Sequence, residues 1–150
     1  MSQPNTPEHA GDDAPPLASL QPIGYVESSL IDLAQAPRQP DEDAPPAVLR
    51  IDPPYEAALT GLAPGHQVII VTWLHVADRH VLTVHPRSDR RRRPTGVFAT
   101  RSPDRPNPIG LHRATITAID RTAITVDHLE AIDRTPVLDI KPVLGPMGDR

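Results

Sequence analysis

Val68 to Val76 reads VIIVTWLHV, and it is the strongest apolar run in the chain. It is rich in β-branched residues, nine residues long and preceded by Pro64-Gly65, the pattern of a central strand buried on both faces. Residues 81–84 are expected to pair with it through a turn at Asp78-Arg79. Outward from this strand, residues 23–28, 47–51, 96–100, 114–119, 123–129 and 136–140 form further short runs in which Thr, Val and Ile are prominent. Asp120-Arg121-Thr122 reads as a hairpin connection, and Ala114, Ile116 and Ala118 alternate with Thr115 and Thr117 as in a half-buried strand. Pro53-Pro54 stops the second strand, and residues 55–61 read as a short helix with Pro in its first turn and Gly61 just past its end. About seven short strands separated by turn signals predict an all-β fold, an antiparallel barrel or sandwich with short helices in its connections. No glycine fingerprint opens a helix after a strand, so a Rossmann-type nucleotide site is not expected.

The chain has 150 residues, 20 of them Pro, with no Cys and four aromatic residues, which is one domain's worth of core. Residues 1–21 hold three acids, no Lys or Arg and no apolar period, and are read as a disordered tail before a folded domain at 22–150. A linker rich in Pro and Asp is expected at 36–46. No run approaches the roughly 18 apolar residues of a membrane span and the N-terminus lacks a signal pattern, so a soluble, cytoplasmic protein without a membrane partner is expected. Lacking Cys, the chain has no thiolate nucleophile and no Cys-ligated zinc. His75, His80 and His85 recur every five residues, which in a strand alternates faces, so no metal site is expected. The net charge of −4 conceals polarity: residues 87–113 carry eight Arg and two Asp, a local +6, and the remaining 123 residues carry −10.

Within that basic block, residues 96–111 read GVFATRSPDRPNPIGL. Pro103, Pro106 and Pro108 fix their own φ and hold Ser102, Arg105 and Asn107 extended, so the stretch is neither helix nor a good central strand. A stiff backbone of this kind presents Arg101, Ser102, Arg105 and Asn107 at low entropic cost, with Gly110 allowing a close approach. Two guanidinium groups, a hydroxyl and an amide suit a carboxylate, a phosphate or the polar edge of a base. A proline-rich surface loop that solvates its charges is the alternative. Arg90, Arg91, Arg92 and Arg93 sit in an expected turn between strands and read as a solvated loop, a nuclear-import-like run or a grip on RNA phosphates.

RSPDRPNPIGL, preceded by GVFAT, resembles the signature of the TsaA/TrmO family of S-adenosylmethionine (SAM) dependent methyltransferases. IGYVES at 23–28, PRQ at 37–39, Trp73-Leu74-His75 and DRTPVLDIKP at 133–142 agree with it in order and spacing, so the resemblance spans residues 23–146. It implies a seven-stranded antiparallel barrel, a homodimer and SAM as cofactor. It further implies cofactor contacts at Pro37, Arg38, Gln39, His75, Val76, Arg101, Leu111, Ile132, Asp133, Arg134 and Thr135. Family enzymes methylate N6 of threonylcarbamoyladenosine in tRNA, which implies a tRNA partner. Arg90 to Arg93 and Arg105 are then the candidate RNA contacts. Arg38 or Arg101 suits the cofactor's carboxylate, Asp133 its ribose or amine, and Leu111, Val76 and Ile132 its adenine. His75, Arg105 and Asn107 are the candidate catalytic residues, and histidine is by type the proton acceptor nearest neutrality.

Two departures stand out. Arg134 occupies the place of a family Gly, which either changes the backbone there or adds a second cation facing the substrate. Family enzymes acting on tRNA often carry a C-terminal extension, whereas this chain stops within about ten residues of the last expected strand. Aromatic residues for stacking a base are few: Tyr25, Tyr55, Trp73 and Phe98. Three classes therefore stay open: a tRNA N6-methyltransferase, a SAM-dependent methyltransferase of a small metabolite, and a non-catalytic RNA-binding barrel.

Overall fold

Proline, glycine and polar turns interrupt the chain often, which favours short strands joined by turns. The computed structural model describes residues 15–32, 43–85 and 89–145. Among the described residues the strands are β1 (Gly24–Glu27), β2 (Ala47–Ile51), β3 (Gln67–Trp73), β4 (Thr83–Val84), β5 (Thr95–Gly96), β6 (Ile109–Asp120), β7 (Ala123–Val126) and β8 (Pro136–Pro142). A 3-10 helix, Pro53–Leu59, follows β2 with Pro at its start. Gly61 lies beyond it at φ 100°, a conformation that glycine adopts without a steric cost.

One antiparallel sheet runs in the order β1-β2-β7-β6-β3-β8 and returns on itself, because β8 pairs with β3 along one edge and with β1 along the other. The return is narrow: Gly24 and Tyr25 face Val137 and Pro136. Backbone bonds from Ile23 N–H to Val137 O (2.8 Å) and from Val26 N–H to Thr135 O (2.9 Å) extend it. Gly24 is required there, since a Cβ at this position would stand 2.0 Å from the Arg50 carbonyl oxygen. Inside the ring, Val26, Leu49, Ile51, Val68, Ile70, Ile116, Ile124, Val126, Leu129 and Val137 make a single apolar core. Each such fully buried aliphatic side chain contributes about 1.5–3 kcal/mol.

The expected seven strands become six in this sheet. Residues 81–84 do not pair with β3, because β6 and β8 already fill both of its edges. β4 pairs with β5 instead and forms a separate two-stranded ribbon, and the expected strand at 96–100 shortens to β5 followed by a 3-10 turn at Val97–Ala99. β3 is not buried on both faces: Val68, Ile70 and Thr72 point into the core, while Ile69, Val71 and Trp73 lie half-buried on the outer face. The alternation expected at 114–119 holds through Ile116 and then fails at Ala118, which is exposed. The register against β7 shifts between Ile116 and Ala118, and an inserted residue reverses which side faces in. The 120–123 hairpin forms as expected, with Arg121 at φ 55°.

Antiparallel pairing decides which segments share an end of the sheet. The C-terminal ends of β1 and β3 and the N-terminal ends of β2, β6 and β8 fall together. This rim therefore collects residues 28–32, 43–46, 74–80, 100–108 and 127–135. No helix among the described residues is long and apolar enough to cross a membrane.

Candidate functional site

The proline-punctuated loop is fastened to the rim from several directions. Leu74 N–H donates to Pro108 O (2.8 Å), Ile109 N–H to Asn107 O (2.7 Å) and Arg105 N–H to Asp78 O (3.0 Å). Asp78 N–H returns a bond to Asp104 Oδ1 at 2.8 Å. Arg79 lies 5.2 Å from the centre of the Trp73 ring and donates from Nε to Pro106 O (2.8 Å) and from Nη2 to Asn107 Oδ1 (3.0 Å). These bonds join the loop to the turn after β3, the turn that also carries His75 and Val76.

The loop's two guanidinium groups have different fates. Arg105 is half-buried, and its Nη2 donates to the carbonyls of Val97 and of Thr100 (2.8 Å). Its Nε is buried without a partner among the described residues. Arg101 is exposed and makes no ion pair there. Ser102 N–H donates to Thr100 Oγ1 at 3.1 Å, which closes the start of the loop.

On the far side of β3, the turn before β8 carries Ile132 to Thr135. Asp133 is half-buried; its Oδ1 accepts from Ser28 N–H at 3.0 Å, and its N–H donates to Leu30 O at 2.6 Å. Its second oxygen has no partner among the described residues. Ile132 is buried, and Thr135 is buried with Oγ1 donating to Ile132 O at 2.7 Å. Arg134 has φ 71°, the left-handed region that glycine adopts without a steric cost. Its guanidinium lies 5.6 Å from the Tyr25 ring centre, so this cation rests on an aromatic face.

His75 and Val76 are exposed in the turn following β3, Val76 by 50 %, and Leu111 is exposed by 50 % on the outer face of β6. Pro37, Arg38 and Gln39 lie outside the described residues. Arg90 to Arg93 form the turn of the β4–β5 ribbon, which enters from the segment after β3 and leaves into the signature loop. Asp89 holds Arg91 through Nε (3.1 Å) and backbone N–H (3.0 Å) and lies 4.0 Å from Arg92 Nε. The Arg91 side chain, and then its backbone N–H, hold the Asp89 carboxyl below its ordinary pKa. Arg90 and Arg93 are exposed without an ion pair among the described residues.

Behind the rim lies a polar chain that the sequence reading did not single out. His112 is buried, with Nε2 at 2.6 Å from Thr72 Oγ1 and Nδ1 at 2.6 Å from Glu130 Oε1, while Glu130 Oε2 is buried and unpartnered among the described residues. Extending the inward alternation of Ala114 back by two places marks His112 and Gly110 as interior positions. Gly110 is small because a Cβ there would stand 2.5 Å from Thr72 Oγ1 and 2.6 Å from His112 Nε2. The close approach that glycine permits is thus made by this chain's own side chains. Arg79 was marked only as a turn residue, since its partners lie 27 and 28 residues away and no local pattern reports such a pairing.

The model of the tRNA-methyltransferase O N-terminal domain matches residues 25–147. The chain belongs to the TsaA/TrmO-like family of SAM-dependent methyltransferases. Among TsaA/TrmO-like relatives, an S-adenosyl-L-methionine-binding protein of Archaeoglobus fulgidus is 38 % identical over 122 residues, covering 81 % of this chain and 86 % of its own. A Methanothermobacter thermautotrophicus protein named a probable S-adenosyl-L-methionine-binding protein is 38 % identical over 123 residues, covering 82 % and 88 %. The crystal structure of TrmO from Pseudomonas aeruginosa superposes with a TM-score of 0.69 at 31 % identity, over 89 % of this chain and 57 % of that one. This chain therefore spans a little over half the length of that TrmO chain. The rim suits the family's cofactor in its donor set. Among the described residues Arg101 is a solvent-facing cation without an ion pair and Asp133 has one carboxylate oxygen unpartnered, Val76 is an exposed apolar side chain of the rim, and Leu111 is exposed on the outer face of β6 beside it. Among the described residues no group of three metal-ligating side chains is found.

Proposed function

We propose that this chain is a SAM-dependent methyltransferase that N6-methylates threonylcarbamoyladenosine beside the anticodon of tRNA, acting as a homodimer in the cytoplasm. The observation that carries the reading is the gathering of the signature loop, the turn after β3 and the Asp133 turn at one rim, within a chain matched over residues 25–147 to the tRNA-methyltransferase O N-terminal domain. Bound SAM supplies an electrophilic methyl group on a sulfonium. The protein's part is alignment and exclusion of water, because displacement at carbon needs nucleophile, methyl and leaving sulfur in line. Arg101 receives the cofactor's carboxylate, Asp133 a ribose hydroxyl or the amine, and Val76 and Leu111 cover apolar surface. His75, exposed on the turn, is the residue assigned to take the proton that the nitrogen loses, since histidine is by type the acceptor nearest neutrality. The exposed Arg90 and Arg93 on the ribbon favour a phosphate backbone as partner. Half-exposed Ile109 and Leu111, with Trp73 and Val71 beside them on the outer face, favour a second copy covering that strip.

Incubation with radiolabelled SAM, total RNA and a small-metabolite extract tests this directly. Label is expected in the tRNA fraction and is expected to fall by at least about tenfold with Arg101→Ala, the loss of one charge-assisted contact. Label in RNA that survives this substitution removes Arg101 from the site. Label in small metabolites with none in RNA supports the second reading, a metabolite methyltransferase, which the −10 carried outside residues 87–113 favours. SAM binding without any transfer would refute both enzymatic readings.

A further inference from the structure

Arg79, marked in the sequence only as part of a turn, holds a residue of the signature loop that two prolines constrain. Asn107 is bracketed by Pro106 and Pro108, which restrict its backbone. Its carbonyl accepts from Ile109 N–H at 2.7 Å, and the next carbonyl, of Pro108, accepts from Leu74 N–H at 2.8 Å. Its side chain meets Arg79 Nη2 at 3.0 Å, while Arg79 Nε donates to Pro106 O at 2.8 Å and the guanidinium rests over Trp73. Ring, carbonyl and amide thus fix the guanidinium at three points.

A guanidinium has donors and no acceptor, so the amide atom facing it is the oxygen. The orientation of Asn107 follows: Oδ1 is spent on Arg79, and the exposed Nδ2 has no partner among the described residues. With Oδ1 turned to Arg79, the amide is held with its two N–H donors directed away from the guanidinium. We infer that Arg79 is a positioning residue, which orients Asn107 so that its free Nδ2 donates to a carbonyl or carboxylate oxygen of the bound cofactor or of the methyl-accepting base. This rests on the methyltransferase reading above and adds to it the polarity that the ligand must show at this point. Lysine cannot replace Arg79, because a single ammonium does not reach the Pro106 carbonyl and the Asn107 amide in one fixed fork.

Asn107→Asp separates donor from acceptor: it keeps an oxygen toward Arg79 and removes both N–H groups. Thermal unfolding is expected to match or exceed wild type, while one ligand parameter weakens by at least about tenfold. Weakened calorimetric binding of SAM places the acceptor oxygen on the cofactor. An unchanged SAM affinity with a raised KM for RNA and a preserved kcat places it on the base. Arg79→Lys is expected to weaken the same parameter, and Arg79→Lys combined with Asn107→Asp to be no worse than Asn107→Asp alone, since both act through one contact. An Asn107→Asp protein with wild-type SAM affinity and wild-type KM overturns the inference, because a merely structural amide would behave that way. If wild-type protein binds SAM but labels no RNA, the tRNA reading fails while the SAM titrations still decide the role of Asn107. If wild-type protein binds no SAM, both fall together.

Discussion

Gly110 shows how much one hydrogen in place of a methyl can decide. Its missing Cβ is the space in which Thr72 Oγ1 and His112 Nε2 meet at 2.6 Å, and that bond continues to Glu130. Buried polar groups are tolerated only when paired, so intrusion at Gly110 separates two of them inside the core. Gly110→Ala is expected to destabilise the fold by about 1–3 kcal/mol, read as a lower denaturant midpoint at unchanged slope. The neighbouring Leu111 points outward and would remain in place, so SAM affinity should fall less than stability does. Arg134 makes the complementary case. It keeps a left-handed backbone that glycine would hold more easily, and its cation gains the Tyr25 face in exchange.

The β4–β5 ribbon is the element whose sequence and structure say different things about charge. Four consecutive arginines read as one basic patch, but Asp89 ties Arg91 and approaches Arg92, leaving Arg90 and Arg93 as the open cations. Replacing Arg90 and Arg93 with Ser is expected to lower the slope of log K against log salt for tRNA binding by about two, whereas replacing Arg91 and Arg92 lowers it by less. Filter binding across a salt series distinguishes the pairs. The Asp89 clamp has its own pH signature. Its carboxyl is depressed in the folded protein, so the clamp's contribution is complete above the ordinary carboxylate range and is lost as pH falls through the depressed value. The protection factor of the Arg91 amide, whose N–H Asp89 holds at 3.0 Å, should therefore fall in acid once exchange is corrected for its intrinsic pH dependence, while the amides of β3 stay protected.

At the scale of the molecule, the sheet closes through a few bonds between β1 and β8, and the same junction carries the Asp133 turn. A ligand held across the rim binds the closed state alone, so SAM at about 100 times its Kd is expected to stabilise the fold by about 2.7 kcal/mol, measured as a shift in thermal midpoint. No shift at saturating SAM would show that the rim does not hold the cofactor. Much of this architecture was legible beforehand. The all-β class, the hairpin at 120–123 and the short segment after Pro53 follow from β-branched runs and turn residues, which act over a few neighbours. The proline spacing of residues 96–111 likewise marked the loop, because proline acts on its own φ and on the residue before it. Pairing partners are another matter. Residues 81–84 read as a mate for β3, and only the assembled sheet shows both edges of β3 taken, so that a ribbon forms and six strands, not seven, make the ring. The same holds for Arg79 on Asn107, Asp133 on Ser28 and His112 between Thr72 and Glu130. By itself the sequence determined where the chain turns, which segments extend and which loop is stiff, since those are local steric and propensity effects. Which side chains spend their hydrogen bonds on one another, and which are left for a ligand, was decided by tertiary structure, because such contacts depend on register between segments far apart in the chain.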